Sequence, residues 1–170
     1  MGRSSVAAPI GVRPARTATS TPRPMYATAL LLHVLGATIW TGGHLVLALA
    51  WLPRVLQERS PEQLLRFEQG YERIGMPALA VQIVTGLWMA AQLSPGVGGW
   101  LAPETPAARA IALKLGLLLL TALIALHARF RVIPRLSAAT LPRMAWHIAA
   151  VTLISIAFVA VGVSLRFGGV

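Results

Sequence analysis

The most regular feature of the chain is a set of four long apolar stretches separated by short polar ones. The first, Tyr26 to Leu52, contains no charged residue; as a helix it is about 40 Å long, enough to cross a hydrocarbon core of about 30 Å. The others run from about Ile74 to Leu93, Ala107 to Ala128 and Met144 to Leu165. This pattern predicts an all-α integral membrane protein, an antiparallel four-helix bundle over residues 26–170. Four spans place both termini on one side of the membrane, here called side A; the opposite side is side B.

Polar and proline-containing segments flank the spans. Residues 1–25 contain four arginines, four prolines and no acid, which predicts a disordered basic tail. Between the first two spans, Ser60 suits a helix N-cap and Pro61 suits the first helical position, so a helix is predicted to begin at Pro61. Pro77 is predicted to bend or break that helix near the membrane surface.

Composition agrees with the membrane assignment and narrows the chemistry. The 170 residues are 56% hydrophobic and 12% charged, whereas soluble domains carry roughly 25% charged residues. There is no Cys and no Asp, and the five acids are all Glu. Disulfides, thiolate metal sites and Cys nucleophiles are therefore excluded, and imidazole is almost the only strong metal ligand within the spans.

The net charge of +10 is spread over both membrane rims rather than gathered in a soluble basic module. Eight arginines fall on side B and seven basic residues on side A, so nucleic-acid binding is not expected. The side B arginines lie in the shorter predicted loops, residues 53–73 and 129–143. The positive-inside rule therefore predicts that these loops are cytoplasmic, in a bacterial-type inner membrane.

All four histidines of the chain lie inside predicted spans, where ionisable residues are costly and usually functional. His44, His127 and His147 fall at similar depth near side B on three different helices. His33 shares a helix face with His44 but lies about 16 Å closer to side A. Three imidazoles at one level can form a polar network, ligate a metal, or supply two axial ligands to haem b.

Two cofactor interpretations follow from this arrangement. In the first, two of the three side B histidines hold haem b, and Arg54 and Arg129 pair with its propionates. In the second, copper binds to the same histidines with the thioethers of Met76 and Met144, because soft thioethers and imidazoles suit copper. Lys114, the only charged residue deeper than the first turn of a span, either extends toward side A or has a functional role.

Several short motifs, taken in order, resemble a known family. They are Leu32-His33-Val34-Leu35-Gly36, Ile39-Trp40-Thr41-Gly42-Gly43, Leu52-Pro53-Arg54, Arg66-Phe67-Glu68, Tyr71-Glu72-Arg73-Ile74, Thr85-Gly86-Leu87-Trp88, Trp100, Leu113-Lys114-Leu115-Gly116 and His127-Ala128-Arg129. Together they resemble the CopD-like (copper resistance D) membrane proteins and the related HemJ-type protoporphyrinogen oxidases.

The resemblance carries expectations of its own. The HemJ group implies a haem b ligand at His33 and a functional residue at Lys114, and the CopD group implies copper handling. His44 and His147 stand outside that pattern, which indicates a second centre or a site moved to side B.

The sequence thus favours a haem b protein that transfers electrons or oxidises a porphyrin or quinol-type substrate. A CopD-type copper-binding or copper-transport protein is the alternative, and a structural subunit without a cofactor is a third. The expected partners are the lipid bilayer, a quinone or porphyrin substrate or a redox partner protein, and further copies of the chain in a homo-oligomer.

Overall fold

The structure is a computed structural model that describes residues 23–94, 96–102 and 104–168. The first 22 residues of the predicted tail lie outside this described part. Helix α1 begins at Arg23, so its first turn includes the last three residues that the sequence assigned to the tail.

The described chain is built from helices that run along one another. The elements are α1 (Arg23–Val46), α2 (Leu52–Glu58), α3 (Pro61–Leu93), the short α4 (Val97–Leu101), α5 (Pro106–His127) and α6 (Leu141–Ser164). Four continuous helical stretches are long and apolar enough to cross a membrane: Pro24–Glu58, Pro61–Leu93, Pro106–Arg135 and Leu141–Ser164. The predicted all-α membrane bundle is confirmed.

Two of these stretches contain a π-helical turn, and each turn precedes a proline. Leu47–Trp51 joins α1 to α2, and Ala128–Val132 joins α5 to a 3₁₀ turn, Ile133–Arg135. In both, the residue before the proline donates its N–H to the carbonyl five residues earlier, Leu52 to Leu47 and Ile133 to Ala128. Proline has no N–H and clashes with the carbonyl four residues before it. The wider π turn accommodates both prolines; the helix continues through α2 beyond Pro53 and ends at Arg135, one residue beyond Pro134.

The connections on side B are shorter than the sequence predicted. Only Arg59 and Ser60 separate α2 from α3, and Arg59 takes a left-handed conformation with φ of 49°. The predicted helix start at Pro61 is confirmed, although the Ser60 hydroxyl bonds the Glu62 carboxylate rather than a backbone N–H. Helix α3 then continues without a break through Pro77 to Leu93, so the break considered at Pro77 does not occur.

The four long helices pack in the order α3, α1, α6, α5. Helices α1 and α3 lie closest: a Cβ added to Gly36 would come within 2.8 Å of the Ala78 carbonyl oxygen. Helix α6 packs on α1, and α5 packs on α6, whereas α3 and α5 scarcely approach each other within the described residues. The bundle is therefore least tightly closed along the α3–α5 seam.

Apolar side chains are buried most tightly at the side B end, where α2, α3 and α6 meet. Val55 is fully buried, and Leu64 and Leu141 are each 1% exposed, in a cluster that also contains Met144. Elsewhere many large apolar side chains point outward, among them Leu49 at 73% and Leu153 at 67% exposed. Such an outward apolar surface suits contact with lipid.

Candidate functional site

A partly open cavity of about 380 Å³ lies in the side B half of the bundle, between residues of α1, α3, α5 and α6. Its lining includes five of the residues singled out from the sequence: His44, His147, Met76, Met144 and Arg129. Residues of the two π-helical turns, Leu47 on one side and Ala128 and Arg129 on the other, also line it. The turns that accommodate the prolines therefore also shape the cavity.

His44 is held on the α1 side of this cavity by its own helix. Its Nδ1 lies 2.8 Å from the Trp40 carbonyl oxygen, and because a carbonyl only accepts, the neutral ring carries its proton on Nδ1. The Nε2 atom then keeps its lone pair. Tyr71 of α3 secures the same point: its hydroxyl donates to the Ile39 and Trp40 carbonyls at 3.0 and 3.1 Å, and its ring meets the His44 ring edge-on.

The role of Tyr71 was missed from the sequence. Phe67, Tyr71 and Gly75 follow one another at four-residue intervals, which places them on one face of α3, and all three line the cavity. The Tyr71 ring also occupies the space beside Gly43 on α1, where an added Cβ would collide with it. The aromatic spacing together with the Gly42-Gly43 pair was the available sign of this contact.

His147 is held in the same manner from α6. Its Nδ1 donates to the Arg143 carbonyl oxygen at 2.8 Å, so its Nε2 is an acceptor. That Nε2 receives the Nδ1–H of His127 at 2.8 Å, and the two rings lie nearly coplanar, with centroids 5.0 Å apart and an interplanar angle of 11°. His127 itself is exposed and does not line the cavity. Because their rings touch, His127 and His147 cannot be opposite axial ligands of one haem.

The remaining cavity lining supplies thioethers and charge. Met144 is 8% exposed within the apolar cluster, and Met76 is 52% exposed on α3. Glu68 and Glu72 line the cavity together with Arg129, whose charge acts on Glu68. Two carboxylates against one guanidinium give the lining a net negative charge when ionised, which favours a cation.

The three side B histidines do not converge on one point. Within residues 23–94, 96–102 and 104–168, no three side chains of His or Glu lie close enough together to hold a metal ion. Of the ligands that the sequence suggested, His44, His147, Met76 and Met144 are among the residues that line the cavity. Arg54 is exposed on α2 and lies outside the cavity lining.

The side A half places His33 and Lys114 in a different setting. His33 Nδ1 lies 2.9 Å from the Gln82 carbonyl oxygen and 3.1 Å from Thr85 Oγ1, so it joins α1 to α3. Gly86 leaves room for this ring, since an added Cβ would lie 2.9 Å from its Cε1 atom. Lys114 packs beside Gly162, and its charge reaches His33. Neither residue lines the side B cavity.

Comparison with known protein families gives one match. Residues 65–165, more than half of the chain, match the family described as Copper resistance protein D, CopD. Comparison with curated proteins and with solved structures finds no significant match. The matched region contains all of α5 and α6, nearly all of α3, and every residue of the cavity lining except Trp40, His44, Leu47 and Leu64. The match supports the copper interpretation; haem b and the relation to HemJ-type oxidases gain no support from it.

Proposed function

The chain belongs to the CopD family, and from this premise we propose that it binds copper within the membrane and passes it on through the side B cavity. The observation that carries the proposal is the gathering of two imidazoles and two thioethers around one cavity in a chain of this family. The proposed ligands are His44 Nε2 and His147 Nε2, with Met144 and Met76 as thioether donors.

The chemistry of this donor set favours Cu(I). Imidazole nitrogen and thioether sulfur are ligands that copper accepts, whereas hard oxygen-rich sites suit magnesium and calcium. Both imidazoles donate Nδ1–H to a backbone carbonyl, the arrangement that orients histidines in metal sites and leaves Nε2 for the metal. When ionised, Glu68 and Glu72 add attraction for an incoming cation.

Copper replaces haem b as the leading interpretation because the family match and the donor set agree on it. Only His44 and His147 remain as a cavity pair for axial ligation, and the buried thioether of Met144 lies in the same lining. The proposal assigns no redox reaction to the cavity and needs no porphyrin or quinone substrate. The expected roles of His33 and Lys114 in haem chemistry are not part of it.

The first experiment is to purify the full chain in detergent, reconstitute it with Cu(I), and record its metal content and absorption spectrum. We expect about one copper per chain and no Soret band. The double variant His44→Ala/His147→Ala should lose copper, and His33→Ala, which removes an imidazole at the other end of α1, should keep it. A red protein without copper, or equal copper in the double variant, would contradict the proposal.

The orientation of the cavity is a separate part of the proposal. We infer that side B faces the cytoplasm, because eight arginines flank the spans there in short connections. The chain has no Cys, so a single cysteine at Ser60 or Ser137 can be labelled without background. A membrane-impermeant maleimide should label these positions only after the cells are opened. Labelling of intact cells would show that side B faces outward instead.

A further inference from the structure

The side B end contains a pair of imidazoles that extends from the cavity to the outside of the bundle. We propose that His127 and His147 form a two-coordinate Cu(I) site in which the metal takes the place of the hydrogen bond between His127 Nδ1 and His147 Nε2. This inference rests on the proposed copper function and adds to it the point at which copper enters or leaves the cavity.

The geometry of the pair is close to what such a site requires. The two nitrogens face each other at 2.8 Å, and His147 is anchored through Nδ1 to the Arg143 carbonyl. Metal–imidazole bonds are about 2.0–2.1 Å long, as for zinc, so a linear ion would move the nitrogens to about 4 Å apart. His127 is exposed, and its ring can supply this shift of about 1 Å without disturbing the packed core.

The number of donors selects the metal. No third His or Glu of the described residues joins this pair closely enough to complete a metal site. Protein-bound Zn²⁺ takes four ligands, usually all from the protein in structural sites, and a two-nitrogen site does not satisfy it. Cu(I) and Ag(I) are stable with two donors in a line, so the pair is expected to accept these monovalent ions and to reject Zn²⁺.

One atom is shared between this pair and the cavity site. His147 Nε2 faces His127, and His147 also lines the cavity that contains His44 and Met144. A copper ion bound to His147 can therefore be completed in two ways: by His44 and a thioether in the cavity, or by His127 in the pair. Because both arrangements use His147 Nε2, only one of them can be occupied at a time. Exchange of His44 for His127 moves the ion from the interior to the exposed surface of the bundle.

The exchange balances without a redox step. Each neutral imidazole carries one proton, and in the metal-free pair the proton of His127 is on Nδ1, toward His147. When Cu(I) binds, that proton moves to Nε2 of the same ring, and Nδ1 becomes a ligand. His147 keeps its proton on Nδ1 toward Arg143, and the copper remains Cu(I) throughout.

The test isolates the pair by removing the cavity ligands. In the full chain carrying His44→Ala/Met144→Leu, titration with Cu(I) should still give about one equivalent, and Zn²⁺ should not bind. Adding His127→Ala to this background should weaken Cu(I) binding by at least about tenfold. Loss of a residue that only hydrogen-bonds to a metal ligand already costs that much, and His127 is proposed as a ligand itself. His33→Ala in the same background is the matched control and should retain the ion.

A kinetic measurement separates transfer from storage. His127→Ala in the otherwise unaltered chain should keep its copper content and release it more slowly to a Cu(I) chelator. If His127→Ala changes neither binding in the cavity-deficient background nor release, or if Zn²⁺ binds as well as Cu(I), the paired site is overturned. Absence of copper from the unaltered chain would instead remove the proposed function itself.

Discussion

Two histidines on α1, eleven residues apart, meet opposite surroundings. His44 on side B is bound to its own helix through the Trp40 carbonyl and lies at a cavity with thioethers and two carboxylates. His33 on side A is bound across to Gln82 and Thr85 of α3, where Lys114 adds positive charge. The charge of Lys114 therefore opposes a second cation at His33, whereas carboxylates and thioethers line the cavity at His44.

An intramembrane histidine can thus contribute to helix packing or to binding, according to which acceptor its Nδ1 contacts. At His44 the Nδ1 bond is local, so the helices on either side can leave a space in front of Nε2. At His33 the same atom closes the α1–α3 interface, beside Gly86 and near the tight approach of Gly36 to Ala78. We therefore call side A of this interface the packing region, and side B, where we propose that copper binds, the binding region.

The largest change in stability is expected from a substitution at Gly36, which should disrupt the packing region and leave the binding region intact. Gly36→Ala would place a Cβ 2.8 Å from the Ala78 carbonyl oxygen, and overpacking of this kind costs about 1–3 kcal/mol. Gly42→Ala on the same helix has no atom within 4 Å of its Cβ and should gain up to about 1 kcal/mol from helix propensity. Thermal unfolding in detergent should show opposite shifts, with Cu(I) affinity of the folded protein unchanged in both. Equal shifts in the two variants would refute the close α1–α3 contact.

The second prediction tests whether Tyr71 orients His44 for metal binding or only packs against it. Tyr71→Phe removes the hydroxyl that donates to the Ile39 and Trp40 carbonyls and should weaken Cu(I) binding by about tenfold, the lower end for residues that orient a metal ligand. Tyr26→Phe, the other tyrosine of the chain, lies against Trp88 on side A and should leave binding unchanged. Competition with a Cu(I) chelator measures both. A Tyr71→Phe protein with native affinity would leave Tyr71 a packing residue only.

The smallest effect concerns the cavity charge. Glu68→Gln/Glu72→Gln removes the carboxylates from the lining and should lower Cu(I) affinity by a few-fold, corresponding to about 1 kcal/mol or less for partly solvated charges. Glu62→Gln, on the exposed first turn of α3, is the control and should have no effect. The loss should shrink as salt is raised, because ions screen exposed charges. A loss that is independent of salt would indicate that a carboxylate binds the metal directly.

Much of the fold was predictable because the apolar runs set span length, number and direction. The same depth reasoning placed His44 and His147 at one level, where both now line one cavity. The connection predicted at residues 53–73 is helical except at Arg59 and Ser60. The helix from Pro61 was predicted from its N-terminal residues, whereas α2 was not, because polar side chains around Arg54 do not distinguish a loop from a helix that extends beyond the apolar core. The π-helical turns were not predictable from Pro53 and Pro134, since a proline alone does not reveal which hydrogen bonds adjust.

The position of His127 shows where the pattern stops being informative. Depth along a helix follows from residue counting, but rotation about the helix and the order of helices around the bundle do not. His127 reaches the right level and lies on the outer side of His147 instead of in the cavity. The position of Tyr71, by contrast, could have been predicted, because its spacing from Phe67 and Gly75 places all three on one face of α3. Its hydrogen bond to the Trp40 carbonyl could not, because that bond depends on how α1 and α3 align along their axes.

The most direct test of the copper proposal is X-ray absorption at the copper edge on the Cu(I)-loaded full chain. We expect nitrogen and sulfur neighbours together, with the outer scattering of imidazole rings. That imidazole signature should disappear in His44→Ala/His147→Ala and persist in His33→Ala. A spectrum unchanged by the double variant, or abolished by His33→Ala, would contradict the division between a binding region on side B and a packing region on side A.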